Sequence, residues 1–418
     1  MHNRSSTKLP YRWITFLLTA LLIAAGLPTP VLAETQILEN STDYTFGETV
    51  TFRARLQVDV PVEQASILIR AEGETQTQVR PVEVAPQEAG IYALAYIHDL
   101  SAQPLRAFAK INYHYEVALQ GGQSFTSPTF TFFYEDNRFA WHTQEDKPFR
   151  VHLPTSDIAF GQGVLDVAHE GLKRVQSLFP LPGPQQVEIY VYTSATEMQA
   201  TLTQSETNWV AGHADPDLGV MVVALPDSPE RRLLMEQRIP HELMHIMLYH
   251  IIGSSYASLP TWLNEGLASA AELYPNPDYQ VLLNNARQKN SLLPIVSLCH
   301  TFPRDASNAL LAYAQSASFT HYLHGRFGTS GLQQMVDYYA NGADCESGVV
   351  GALGVSLAEL ERQWRHDILA ENVTLTALNN FLPWLILLLI VLAAPAAIML
   401  LNRIKLTGFK AQETGDKG

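Results

Sequence analysis

Residues 239–272 read IPHELMHIMLYHIIGSSYASLPTWLNEGLASAAE, and this stretch restricts the fold more tightly than any other. Its apolar residues are bulky and closely spaced, as in helices covered on more than one side. The same run carries His241, His245 and His250 together with Glu242, Glu265 and Glu272. Ionisable groups buried without partners cost several kcal/mol each. A fold that buries this segment must therefore bring these side chains together so that each satisfies another.

His241 and His245 are four residues apart, so on a helix they stand one turn above each other on one face. Two imidazoles so placed can meet one ion. Zinc prefers such nitrogen and oxygen ligands in a tetrahedral array, and a catalytic site leaves one position for water. Glu242, about 100° around the helix from His241, could reach that water without displacing a ligand and act as general base. Two histidines leave the ligand set incomplete. His250 lies roughly half a turn around from His241 and points away. A third histidine in the same stretch would need Gly at 248 and His at 251, where the chain has Leu248 and Ile251.

After Gly253 a short loop reaches Pro260, a residue suited to the first turn of a new helix, PTWLNEGLASAAEL. Two helices joined by a short loop pack side by side and can return Glu265 to the histidines. Glu272 shares a face with Glu265 and reads as a partner of a ligand rather than a ligand. Pro240 removes one helical hydrogen bond, so the helix begins near Ile239 or kinks there. Both outcomes keep His241 to His245 helical. Without a metal, the histidines would be core residues held by hydrogen bonds and Glu265 would pair with an arginine.

HELMH with the downstream WLNEGLA resembles the gluzincin metallopeptidases, in particular the peptidase MA-like group, and the aminopeptidase branch has a similar second motif. The likeness runs loosely over residues 150–367 and is specific only in the quoted motifs. It implies one zinc ion held by His241, His245 and Glu265, with Glu242 as the base. It also implies a thermolysin-like fold, with a small sheet beside the active-site helix and a helical half beyond. Amide hydrolysis needs a donor for the oxyanion. In LLAYAQSASFTHYLHGRFG the candidates are Tyr313, His321, Tyr322 and His324, and Tyr313 matches the family's position. Its alternative role is that of a packing aromatic. NWVAGHADPDLGVMVVAL reads as an edge strand able to pair with a substrate backbone, with His213 a surface residue. It lacks the aminopeptidases' glutamate-containing anchor for a free amino terminus.

Ahead of this region, residues 34–136 alternate with period two. In TVTFRARLQVDV the residues Val50, Phe52, Ala54, Leu56, Val58 and Val60 are apolar and their neighbours polar, and similar strands recur to Tyr134. The expectation is a β-sandwich. EDNRFAWHTQEDKP then reads as a linker. Residues 137–374 alternate strands and helices before becoming mostly helical, which suggests an α+β domain. A helix is expected from about Asp157 to Phe179, and Ser194 with Glu197 and Ser356 with Glu359 form capping boxes.

Both ends are apolar. Residues 1–33 carry Arg4, Lys8 and Arg12, an apolar core and the small-residue ending Val31-Leu32-Ala33, the pattern of a signal peptide. Residues 375–402 contain a charge-free run of about 20 residues, the length of a membrane-spanning helix. Arg403, Lys405 and Lys410 follow it, which puts the tail 403–418 in the cytoplasm. Losing the leader moves the net charge from −14 to about −17, which disfavours nucleic acid as a partner. In an exported chain Cys299 and Cys345 could form one disulfide or remain two buried thiols.

The sequence thus describes a sandwich, a gluzincin-like domain and a spanning helix, acting on peptide or protein substrates in an unspecified oligomeric state. The rival reading is an anchored binding or sensor protein with a degenerate peptidase-like domain. A hydrolase acting on a non-peptide amide would use the same residues.

Overall fold

A computed structural model describes residues 35–88, 90–179, 181–202, 212–370 and 381–393, and the chain divides into two compact units on either side of Phe139/Ala140. The expected leader, 1–33, and tail, 403–418, lie outside the described residues. Of the expected spanning segment only 381–393 is described; it is helical and exposed. Among the described residues no helix is long and apolar enough to cross a membrane.

The first unit is two antiparallel sheets. One takes the order β1 (Gln36–Thr45), β2 (Thr49–Gln57), β6 (Ile91–Asp99), β5 (Glu83–Pro86). The other runs β4 (Gln78–Pro81), β3 (Val62–Ala71), β7 (Ala109–Leu119), β8 (Gln123–Thr126), and β9 (Phe130–Tyr134) also pairs β7. The period-two pattern is the cause: Val50, Phe52, Ala54 and Leu56 of β2 are buried, as are Ile67 and Ile69 of β3 and Ile111, Tyr113 and Tyr115 of β7. Phe52 meets Tyr113 of the opposite sheet edge to face at 4.7 Å, so the two inner faces share one core.

The second unit opens with a five-stranded sheet, ordered β10 (His142–Asp146), β11 (Phe149–Leu153), β12 (Val187–Tyr192), β14 (Val220–Ala224), β13 (Gly212–Asp215). The three central strands are parallel and both edges antiparallel. The stretch expected as a linker therefore supplies an edge strand, β10. Its residues are polar and mostly exposed, so it is held by backbone pairing rather than by an apolar face. Helix α1 (Ile158–Leu178), whose N-cap Asp157 accepts from the N–H of Phe160, makes the crossover to β12. The capping boxes start α2 (Ala195–Gln199) at Ser194 and α8 (Leu357–Asp367) at Ser356.

The helical half follows: α3 (Arg231–Ile252), α4 (Thr261–Ala271), α5 (Asp278–Gln288), α6 (Ala306–Ala340, broken at Gly328) and α7 (Cys345–Leu353) precede α8. Trp262, Phe319 and Trp364 pack in sequence at its centre, with ring centroids 5.1 and 5.7 Å apart and planes tilted by 56° and 66°. Helices α4 and α6 approach closely because Gly266 has no side chain; a Cβ there would lie 2.6 Å from the carbonyl of Ser316. Cys299 and Cys345 are joined in a disulfide.

Candidate metal centre and active site

Helix α3 places the first residues of the site. It runs unbroken through Pro240, whose missing N–H leaves the carbonyl of Glu236 without its helical donor. The N–H of Leu273 fills that vacancy at 2.9 Å. The far side of the proline rests on Gly171 of α1, where an added Cβ would stand 3.0 Å from the proline Cγ. Leu243, Met244, Met247 and Leu248 sink into the core, while His241 and His245 border the cavity, with ring centroids 5.1 Å apart. A 3-10 turn, Gly253–Ser258, reverses the chain, and Gly253 sits at φ 54°, where a side chain would strain the backbone. Pro260 then caps α4, which returns Glu265 and Asn264 to the histidines.

The geometry is convergent. Nε2 of His241 lies 3.3 Å and Nε2 of His245 3.7 Å from the same oxygen, Oε2 of Glu265, and the three candidate ligand atoms all fall within 4.8 Å of one another. Zinc–nitrogen bonds of about 2.0–2.1 Å in a tetrahedron put ligand atoms roughly 3.3 Å apart, so the donor set fits that ion in type and spacing. The other ring nitrogens face away from the cluster. Nδ1 of His241 is 3.3 Å from Oε1 of Glu272; Nδ1 of His245 is 3.1 Å from Oδ1 of Asn264 and 3.0 Å from the Tyr256 hydroxyl. Asn264 in turn donates to that hydroxyl at 2.9 Å. Acceptors beside Nδ1 fix its proton there and leave the Nε2 lone pairs aimed at the cluster.

The electrostatics separate two adjacent histidines. Burial pushes His245 down to about 4, only partly opposed by Glu265. Burial presses His241 the same way, but hydrogen bonds to Glu265 and Glu272 outweigh it and raise His241. His241 gains hydrogen bonds to two carboxylates, Glu265 and Glu272, whereas the side-chain hydrogen bond that raises His245 is to the neutral amide of Asn264. Burial also lifts Glu242 to about 7, with His241 and Arg238 opposing and Glu265 and Glu272 adding to the rise. Glu265 stays below the usual carboxylate range because His245 and His241 overcome its burial. Shifts of this kind cluster at functional sites more often than elsewhere.

The cluster opens into a cavity of about 800 Å³, within the range of small-ligand sites. One wall is the edge strand β13. A Cβ on Gly212 would stand 2.5 Å from Oε1 of Glu242, so any side chain there would push that carboxylate aside. His213, expected at the surface, is half-buried and lines the cavity. The other wall is α6, where the Tyr313 ring lies 6.4 Å from that of His241 and burial raises its pKa well above 10. The other candidates, His321, Tyr322 and His324, do not line the cavity: Tyr322 donates to Asp367, His321 is exposed, and Nε2 of His324 lies 3.3 Å from the Thr329 hydroxyl. His250 is also exposed. Sequence reasoning missed Tyr256, which belongs to the turn, and the roles of Asn264 and Gly212. Asn264 lies inside the quoted WLNEGLA and could have been suspected.

A family model described as "Peptidase MA superfamily" matches residues 167–370. No curated protein matches the chain. Among solved structures, an aminopeptidase N family protein from Idiomarina loihiensis is 9% identical, with 79% of this chain and 73% of that one covered at a TM-score of 0.36. A carbohydrate-binding module family 56 β-1,3-glucan binding domain is 17% identical over 24% of this chain and 99% of its own, at 0.16. At these scores neither fixes a fold or a ligand. The stretch that builds the metal cluster and both helices carrying it is thus similar to the Peptidase MA superfamily.

Proposed function

We propose that this protein is a zinc-dependent peptidase of the gluzincin type, exported by its leader and anchored by residues 375–402 with the bulk outside the cytoplasm. The observation that carries the reading is the convergence of two imidazole Nε2 atoms and one carboxylate oxygen beside the buried carboxyl of Glu242.

When bound, the ion supplies Lewis acidity toward the scissile carbonyl and the attacking water. The chain's own residues do the rest. Glu272 and Asn264 hold the two imidazoles in the ligating tautomer. Glu242 takes a proton from water and passes it to the departing amine, a role suited to a carboxyl whose pKa lies near neutrality. Tyr313 faces the cluster from the opposite wall with its hydroxyl kept protonated by burial, so it can donate to the oxyanion. The outer side of β13, the last strand of the sheet, offers backbone groups to an extended peptide.

The test is the full-length protein in detergent, its Glu242→Gln variant, a peptide library and metal analysis. The variant is expected to retain one zinc per chain and to lose cleavage. Cleavage by the variant at the wild-type rate would remove Glu242 as the base. Wild-type protein holding zinc but cleaving nothing would favour the non-catalytic binding protein.

A further inference from the structure

The segment between α5 and α6 contributes a wall of the cavity that no motif announced. Residues 300–304 line it, and the segment is pinned at its start. The N–H of Thr261, at the first turn of α4, donates to the carbonyl of Cys299 at 2.9 Å, and the Thr261 hydroxyl donates to that of His300 at 2.7 Å. The disulfide fixes Cys299 to the beginning of α7 as well. Three residues beyond the disulfide, Phe302 meets Tyr313 edge to face, with centroids 4.9 Å apart and planes at 90°. Tyr313 is carried by α6 and Phe302 by the strap, so the pair is a tertiary contact, and it holds the ring against which His241 lies at 6.4 Å.

We infer that Phe302 is a positioning residue for Tyr313: the disulfide-anchored strap sets the ring that aims the Tyr313 hydroxyl at the reacting carbonyl. This rests on the peptidase reading above. An edge-to-face contact favours one arrangement of two aromatic rings, and catalysis by a hydrogen-bond donor depends on that aim more than on affinity for the ground state. Leucine at 302 fills much of the volume but supplies no ring edge.

A double-mutant cycle tests the inference in the full-length protein, with Phe302→Leu and Tyr313→Phe alone and combined. Kinetics use a library peptide that the wild type cleaves. Phe302→Leu is expected to lower kcat roughly three- to tenfold with KM changed less than about twofold. In the Tyr313→Phe background it should change neither. Phe302→Tyr, which keeps the aromatic ring, should retain the wild-type rate. A readout independent of turnover uses the Glu242→Gln background and calorimetry with a phosphinic analogue of the same peptide: Phe302→Leu and Tyr313→Phe should each weaken binding, and the pair no more than Tyr313→Phe alone. Zinc content should be equal throughout. Independent, additive losses in the cycle, or a KM effect with kcat unchanged, would overturn the role of Phe302 while leaving the peptidase intact. A zinc-loaded wild type without cleavage would instead sink the peptidase reading, and this inference with it.

Discussion

The N–H of Leu273 donates to the carbonyl of Glu236 at 2.9 Å, the carbonyl that Pro240 deprives of its helical partner. A proline that would normally weaken a helix interior here opens an acceptor on α3 for the chain leaving α4. The residue immediately before Leu273 is Glu272, whose carboxylate sits 3.3 Å from Nδ1 of His241. The proline thus helps to seat the group that orients a candidate ligand.

The ring of Pro240 is also the surface on which α1 rests through Gly171. In an open helix Gly→Ala gains up to about 1 kcal/mol. At 171 the new methyl meets a rigid ring at 3.0 Å, so Gly171→Ala should instead cost about 1–3 kcal/mol. A Pro240→Ala background removes Cγ but keeps Cβ at 3.1 Å and Cα at 3.3 Å from the new methyl, so the cost should fall without vanishing. Urea unfolding of the four proteins measures the coupling, and equal effects of Gly171→Ala in both backgrounds would refute the contact.

Glu272→Gln keeps shape but removes the charge facing His241. Loss of such an outer partner weakens metal affinity about 10–100-fold. Chelator competition on wild type and variant reads the change directly. An unaltered zinc affinity would reduce Glu272 to a packing residue.

What could be read beforehand follows from what is local. The i, i+4 spacing of His241 and His245, the capping serines and the alternation of β2 depend only on helix and strand periods. Pro240 was legible as an anomaly but not as a device, because its compensating donor, Leu273, lies more than thirty positions away. Tyr256 and Gly212 join the site through tertiary packing alone. Strand β10 escaped notice because no apolar face distinguishes His142–Asp146 from a linker. Cys299 and Cys345 left two states open, since separation in sequence does not fix proximity.

Gly212→Ala is a probe of the base. The methyl would be 2.5 Å from Oε1 of Glu242, and the side chain's flexible end can yield, so the fold should persist. The carboxylate would be displaced, and a misplacement of about 1 Å costs on the order of 100-fold in rate. Steady-state kinetics with zinc content and melting temperature should show lost kcat and little else. A fully active Gly212→Ala protein would show that Glu242 tolerates movement and is not the base.

Glu188 predicts a pH dependence away from the site. Burial raises its pKa, but the His152 ring at 2.6 Å, Gln186 and Arg150 outweigh that and hold it below 4.5. A carboxylate depressed in the folded state contributes stability above its unfolded pKa and loses it as pH falls through the folded value. Glu188→Gln should therefore cost about 1–2 kcal/mol at pH 6, and the gap from wild type should narrow toward pH 3. A gap that stays constant across this range would rule out the linkage.

The Cys299–Cys345 bond closes a loop with a sequence separation of 46, so chain entropy puts its contribution at up to about 4 kcal/mol. It joins the strap to the start of α7, whose N-cap Asp344 already accepts from the N–H groups of Glu346 and Ser347. Hydrogen bonds from Thr261 hold the strap from the other side, so the fold should survive without the bond. Reduction with dithiothreitol, or the Cys299→Ser/Cys345→Ser pair, is expected to lower unfolding stability by about 2–4 kcal/mol. Equal urea midpoints for reduced and oxidised protein would show that the strap is held by its hydrogen bonds alone.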